Sequence, residues 1–367
     1  MNIAFYAPLK PPDHATPSGD RRMAGLLLAA LRAAGHEPHI ASRLRSFDGL
    51  GDAARQAEIR RAGAAEAAAL TARYEAVAED QRPGAWFTYH LYRKAPDWIG
   101  PAVCAALDIP YLVAEASVAS KHAHGPWADG EAACAAAIRR AGAVLSLNDD
   151  DDDAVLPLLD NPDRLISLKP FLDPAPYIKP RDSARPGGTP CRLLAVAMMR
   201  DGDKLASYRA LAAALKRLAS RDWRLTLVGD GPARGAVEAA FGGFAEGRVG
   251  FAGEQSEARL VDSYAQAELF VWPSVNEAYG MALLEAQASG LAVVAGRVRG
   301  VPGIVRHGRT GLLVPEGGDF AEALGRLIDD APLRARLGAA AALAVAADHG
   351  LEAAAETLNR ALQVACS

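Results

Sequence analysis

The chain is expected to be an α/β protein of two doubly wound parallel-sheet domains facing a central cleft. Three observations predict this: strand–helix alternation in each half, a proline-rich break between the halves, and a length of 367 residues against roughly 100–200 residues per domain. In the first half, short apolar runs stand at Asn2–Ala7, His39–Ser42, Trp86–His90, Tyr111–Glu115, Ala143–Leu147 and Leu165–Lys169. Helical patterns lie between them at Asp20–Ala34, Asp52–Asp80, Asp97–Leu107 and Gly130–Ala141. Runs that are apolar throughout, not alternating, belong to strands covered on both faces, as in a parallel sheet.

Asp173–Pro190 then accumulates proline around Gly187-Gly188. Proline removes backbone donors and breaks regular elements, so this stretch reads as a linker between residues 1–180 and 181–349. Beyond it the alternation restarts. Strands are predicted at Arg192–Ala197, Arg224–Val228, Val249–Ala252, Leu269–Trp272, Ala292–Ala295 and Gly311–Val314. The helices between and after them are Asp203–Ser220, Pro232–Phe241, Gln255–Ala267, Tyr279–Ser289 and Asp319–Asp330. Open sheets of this kind bind ligands beyond the carboxyl ends of their strands.

Composition excludes several classes. Half the residues are hydrophobic and 23% charged, too apolar for intrinsic disorder. No apolar run approaches the ~20 residues that span a bilayer. A net charge of −4 offers no basic field for nucleic acid. The start, Met1 to Tyr6, reads as a strand without a signal peptide, and four cysteines (Cys104, Cys134, Cys191, Cys366) lack metal or disulfide spacing. The expected location is cytoplasmic. The pattern at Gln56–Tyr74 carries Arg60, Arg61 and Arg73 and could make weak peripheral contact with the inner face of a membrane, although Glu58, Glu66 and Glu75 favour a solvated face.

No metal site is expected. The run Asp149–Asp153 has its carboxylates too close together to wrap an ion and reads as a solvated helix N-terminus. The eight histidines show no i,i+4 pair, and His122-Ala-His124 lies in a loop.

Four segments could carry chemistry. Leu269–Pro273 runs into Ser274-Val-Asn-Glu277-Ala278-Tyr279-Gly280-Met281 and then a helix containing Glu285. The first-turn N–H groups of that helix lack intrahelical acceptors and could hold a diphosphate, with Glu277 and Glu285 as acceptors for sugar hydroxyls. Ser274-x-x-Glu277 also matches a capping box. Met199-Arg200-Asp-Gly-Asp203-Lys204 places two cations after a strand, suited to a diphosphate leaving group, with Asp203 positioned to cap the next helix. Gly229-Asp-Gly231-Pro232-Ala-Arg-Gly235 reads as a tight turn near a nucleotide, with Pro232 at the first helical position. Pro11–Arg22, containing Ser18-Gly19, follows the first strand and opens the first helix, where backbone N–H groups could meet a phosphate.

Taken in order, Phe251-Ala-Gly253, Leu269–Ser274, Glu277 to Glu285-Ala, Ser289-Gly290 and Gly308-Arg-Thr-Gly311 resemble the donor domain of the retaining glycosyltransferases of family 4, the glycosyl transferases group 1. That family has the GT-B fold of two Rossmann-like domains. The resemblance implies a nucleoside-diphosphate-sugar donor, a saccharide or glycolipid acceptor of the kind used in bacterial envelope synthesis, and no cofactor. It implies that Glu285 holds the ribose hydroxyls and Glu277 those of the transferred sugar. Arg200, Lys204 and the backbone at Ala278, Tyr279, Gly280 and Met281 would meet the diphosphate, and Gly253 would lie beside the base. Ser18-Gly19 matches the family's glycine-rich loop, and helix 350–367 would return to the first domain.

The chain departs from the pattern at Met199-Arg200, where the family has Gly-Arg, at Arg299–Gly303, which lacks the family's Glu, and at the family's active-site histidine, whose turn holds Glu115, Ala116 and Ser117. Two other readings share this architecture. A sugar-nucleotide epimerase would need no acceptor, and a non-catalytic relative would bind donor without transfer.

Overall fold

The computed structural model describes residues 1–16, 18–147, 151–179, 190–277 and 280–367. The chain divides into two compact units, Met1–Lys169 with Leu351–Ser367, and Pro170–Gly350. The change of unit thus falls ahead of the proline-rich stretch, of which residues 180–189 lie outside the described residues.

In the first unit the chain runs β1 (Asn2–Tyr6), α1 (Gly19–Ala33), β2 (Glu37–Ser42), α2 (Ala53–Glu75), β3 (Ala85–Tyr92), α3 (Gly100–Leu107), β4 (Tyr111–Ser117), α4 (Ala128–Arg140), β5 (Ala143–Ser146), α5 (Asp152–Val155) and β6 (Leu165–Ser167). The six strands form one sheet in the order β2-β1-β3-β4-β5-β6, all parallel. Phe5 and Phe87 stack with ring centroids 5.7 Å apart, and Trp86, Tyr6 and Tyr111 are fully buried. Asp97 does not start α3 as the sequence suggested. It is buried ahead of the helix, where one carboxylate oxygen takes the amides of Ile99 and Gly100, each at 2.8 Å. The other oxygen takes the hydroxyls of Thr88 and Tyr111, so each acceptor is used.

The second unit runs β7 (Cys191–Val196), α6 (Asp203–Arg217), β8 (Trp223–Val228), α7 (Arg234–Phe241), β9 (Val249–Gly253), α8 (Glu257–Gln266), β10 (Leu269–Trp272), α9 (Met281–Ala288), β11 (Ala292–Gly296), α10 (Val301–Ile304), β12 (Gly311–Val314), α11 (Phe320–Asp329) and α12 (Ala331–Asp348). Its sheet is again parallel and six-stranded, in the order β12-β11-β10-β7-β8-β9. The last helix, α13 (Leu351–Cys366), belongs to the first unit, where Asn359 bonds His36 at 2.7 Å.

Strand positions agree with expectation to within a few residues, because most of the strands are apolar runs, although β2 and β8 include polar and exposed positions. Helix ends agree less well. The pattern through Asp80 stops at Glu75, and Pro232 lies ahead of α7 and not at its first position. The long helix α12 escaped notice because its alanine-rich composition hides any apolar stripe.

Each sheet has one switch point, where chain order reverses and neighbouring loops diverge to leave a crevice. In the first unit it lies between β1 and β3, and in the second between β7 and β10.

Candidate active site

At the switch point of the second unit, the segments after β7 and β10 meet. Ser274 and Asn276 both have positive φ, 59° and 51°, an unusual backbone for residues other than glycine. Three contacts hold this turn. Buried Ser274 donates to the Trp272 carbonyl at 3.1 Å, the Val275 amide donates to Ser207 Oγ at 2.9 Å, and Asn276 Nδ2 donates to Asp203 Oδ2 at 2.9 Å. The capping-box reading therefore fails, since Ser274 is committed to its own strand and the N-cap of α9 is Gly280. Asp203 does not cap α6 through its side chain. It is the first residue of that helix, behind Gly202.

The turn delivers Glu277 to the first turn of α6. Its Oε2 accepts from Lys204 Nζ and, at 3.1 Å, from Trp272 Nε1, while the Lys204 ammonium stands 5.7 Å from the Trp272 ring centre. Both side chains are mostly buried, at 29% and 16% exposure. Lys204 and Glu277 are thus brought together as expected, and Trp272 is the partner that residue-type reasoning missed. Arg200 sits in the same βα loop with an exposed side chain.

Glu285 is not a helix-surface carboxylate. It is 3% exposed and accepts from Tyr264 Oη at 2.7 Å. Burying a carboxylate is costly unless hydrogen bonds hold it, so this one is built in for position. Met281 opens α9 behind Gly280, whose φ of 70° gives the left-handed turn into the helix. A Cβ there would lie 2.6 Å from Leu283 Cδ1. Ala278 and Tyr279 lie outside the described residues. Gly253 ends β9, and its carbonyl accepts from the Gly229 amide at 2.8 Å, fastening the Gly229–Gly231 turn beside it.

The switch point of the first unit carries a second cluster. Ser18 caps α1 by accepting from the Arg21 amide at 3.2 Å, so this residue has a structural role at the entrance to Gly19. Within the same first turn, Asp20 Oδ1 is 2.9 Å from His90 Nδ1. His90 at the end of β3 and Glu115 at the end of β4 both hold positive φ, 63° and 60°, and strain of this kind at adjacent strand ends is a signature of functional sites.

The electrostatics follow. Burial works against a charged imidazole, yet the bond to Asp20 and the fields of Glu115, Asp20 and Asp151 outweigh it, so His90 titrates above the ordinary histidine value. The bond to His90 holds Asp20 below the usual carboxylate range. Burial pushes Glu115 up. This chain holds Glu115 where the family pattern has a histidine, and a histidine, His90, stands on the neighbouring strand. It was legible only as the last residue of an apolar run.

Of the acidic run, Asp149 and Asp150 lie outside the described residues. Asp151 and Asp152 accept from the hydroxyls of Ser117 and Ser146 and are not simply solvated. Among the described residues no cluster of three or more His, Cys, Asp or Glu side chains could hold a metal ion, and no helix is long and apolar enough to cross a membrane.

Residues 190–330 match the family model of the glycosyl transferases group 1. The chain is 40% identical over 160 residues to a D-inositol 3-phosphate glycosyltransferase of Corynebacterium diphtheriae, covering 41% of this chain and 37% of the relative. It is 32% identical over 198 residues to the enzyme of the same name from Corynebacterium efficiens, covering 48% and 46%. The match thus spans less than half the length of these curated relatives. Over nearly its whole length the chain has the fold of sucrose-phosphate synthase from Thermosynechococcus elongatus, with a TM-score of 0.71 at 21% identity, covering 99% of this chain and 98% of that one. This is the GT-B fold.

Proposed function

We propose that the chain is a retaining glycosyltransferase that moves a sugar from a nucleoside-diphosphate sugar to a hydroxyl of a saccharide or glycolipid acceptor. The observation that carries this reading is the Lys204–Glu277–Trp272 cluster at the switch point of the unit that matches the glycosyl transferases group 1. Beside it, the carboxylate of Glu285 is buried and aligned by Tyr264. Curated relatives are named as glycosyltransferases acting on an inositol phosphate, which supports a small polar acceptor.

In this reading Glu285 receives the ribose hydroxyls and Glu277 those of the transferred sugar. Lys204, Arg200 and the first-turn amides at Gly280 and Met281 receive the diphosphate. As the glycosidic bond breaks, negative charge grows on the diphosphate, and fixed cations and amides aimed there lower the barrier without reorganising. These groups supply the charge that a metal would otherwise bring, so the reading calls for no cofactor. The leaving phosphate takes the acceptor proton on the same face of the sugar, which retains its configuration. On the first unit, Asp20, His90, Glu115 and the Ser18-Gly19 entrance form the polar floor for the acceptor. The setting fits the cytoplasmic side of a membrane where envelope polymers are made.

Thermal-shift screening against nucleoside diphosphates and their sugars tests donor binding, since a ligand of the native state alone raises its stability. Transfer is then assayed with the donor so identified and an acceptor panel. Donor binding with an epimerised free sugar as the product would reject transfer in favour of epimerisation. A protein that no nucleoside diphosphate stabilises would sink the proposal outright.

A further inference from the structure

A cavity of about 290 Å³ in the first unit lies outside both clusters. Its walls come from the carboxyl-end loops of β2 and β3 and from the starts of α2 and α4, the side of the sheet on which open α/β folds bind ligands. Its charge is uneven. Three cations line it, Arg60, Arg93 and Lys94, against two carboxylates, Asp48 and Asp129.

Both carboxylates are already engaged. Asp129 pairs with Arg60 at 3.3 Å. Asp48 accepts from the amides of Leu50, Gly51 and Asp52 and from Gln56 Nε2, at 2.7–3.1 Å. Arg93 and Lys94 are left over. Among the described residues neither has a carboxylate within ion-pair distance. Arg93 Nε is buried with no hydrogen-bond partner among them, and a buried donor left unpaired is costly.

Trp127 keeps the two cations together. The Lys94 ammonium stands 4.5 Å from its ring centre and the Arg93 guanidinium carbon 5.8 Å, and the indole is itself anchored by donating to the Asp48 carbonyl at 3.0 Å. A planar fork and a compact ammonium held against one indole ring suit a tetrahedral oxyanion.

We propose that this cavity is an oxyanion subsite that receives a phosphate group carried by the acceptor. The proposal rests on the glycosyl-transfer reading for the word acceptor, but the binding it requires is measured without transfer. The same phosphate chemistry is available on a soluble sugar phosphate or on a lipid headgroup, and the experiment separates the two.

The full chain is titrated with inorganic phosphate, with a hexose monophosphate and its parent hexose, and with phosphatidylglycerol vesicles against phosphatidylcholine ones. The proteins compared are wild type, Lys216→Ala as an exposed cation outside the cavity, Lys94→Gln and Arg93→Gln. Lys94 is half-buried and its only ring contact among the described residues is with Trp127, so its variant keeps the test alive if Arg93→Gln fails to fold.

Inorganic phosphate should bind wild type and Lys216→Ala alike and the other two at least tenfold more weakly. The hexose monophosphate should bind at least tenfold better than the hexose if the source is soluble, and the anionic vesicles better than the neutral ones if it is lipid. Phosphate affinity unchanged in Lys94→Gln, no phosphate binding to wild type, or no preference for any phosphorylated partner overturns the proposal. A parallel titration with nucleoside diphosphates reports on the transferase reading separately. Its failure with phosphate binding intact would leave an oxyanion site in a protein of another function.

Discussion

His90 Nδ1 lies 2.9 Å from Asp20 Oδ1, joining the end of β3 to the first turn of α1 across the switch point of the first sheet. The pair makes stability depend on pH. His90 titrates above its ordinary value of 6.5, so its contribution is complete below about 6.5 and is lost as pH rises through the raised value. Asp20 titrates below its ordinary 3.8, so its contribution is complete above that and is lost as pH falls through the lowered value. Denaturant midpoints of wild type should therefore fall on the alkaline side of 6.5, and His90→Gln should flatten that limb. Glu115, raised by burial, adds a loss of its own as pH rises through its higher value, so Glu115→Gln is measured alongside. Profiles of wild type and His90→Gln that superimpose would refute the pairing.

Lys204 Nζ and Trp272 Nε1 both donate to Glu277 Oε2, and groups in one hydrogen-bonded cluster do not act additively. A double-mutant cycle of Lys204→Ala and Glu277→Gln on stability should give a coupling of about 1–2 kcal/mol. On turnover, Lys204→Ala should cost on the order of 100-fold, the scale for one fixed stabiliser of transition-state charge. Steady-state kinetics of the single variants check this, and a loss below about fivefold would remove Lys204 from the diphosphate site.

Tyr264 acts on Glu285 from behind. Tyr264→Phe removes one donor from a buried carboxylate and should cost about 1–3 kcal/mol of stability, as expected for a buried acceptor losing its partner. If the phenol aligns the carboxylate for ribose, donor KM should rise more than kcat falls. Glu285→Ala should abolish donor stabilisation in a thermal-shift assay while the protein still unfolds cooperatively. An unchanged donor shift in Glu285→Ala would dissociate the residue from the ligand.

Gly280 meets two demands at once, a φ of 70° and a space closed by Leu283. Gly280→Ala should lower stability by roughly 1–2 kcal/mol through left-handed strain. Since the amides of α9 begin here, it should also weaken nucleoside-diphosphate binding. Chemical denaturation and a binding titration on the same preparation test both parts. Normal affinity despite the lost stability would place the diphosphate elsewhere.

The sequence by itself determined the two-sheet α/β architecture, because a parallel strand buried on both faces must be apolar throughout and leaves a run that can be read directly. It also marked Lys204, Glu277 and Glu285, whose spacing along Asp203–Lys204 and Glu277–Glu285 is local. It could not order the strands within a sheet, since neighbours such as β7 and β10 are far apart in the chain. Only that order makes Lys204 meet Glu277 and Asp20 meet His90. It gave no sign that Trp272 and Tyr264 would each serve a carboxylate, because an aromatic in an apolar run looks like core until its polar edge finds a partner. Nor could it show Arg93 and Lys94 as unbalanced. The tertiary structure decides that by giving Asp48 and Asp129 to other donors, and charge balance in a cavity is a property of what surrounds each group in space.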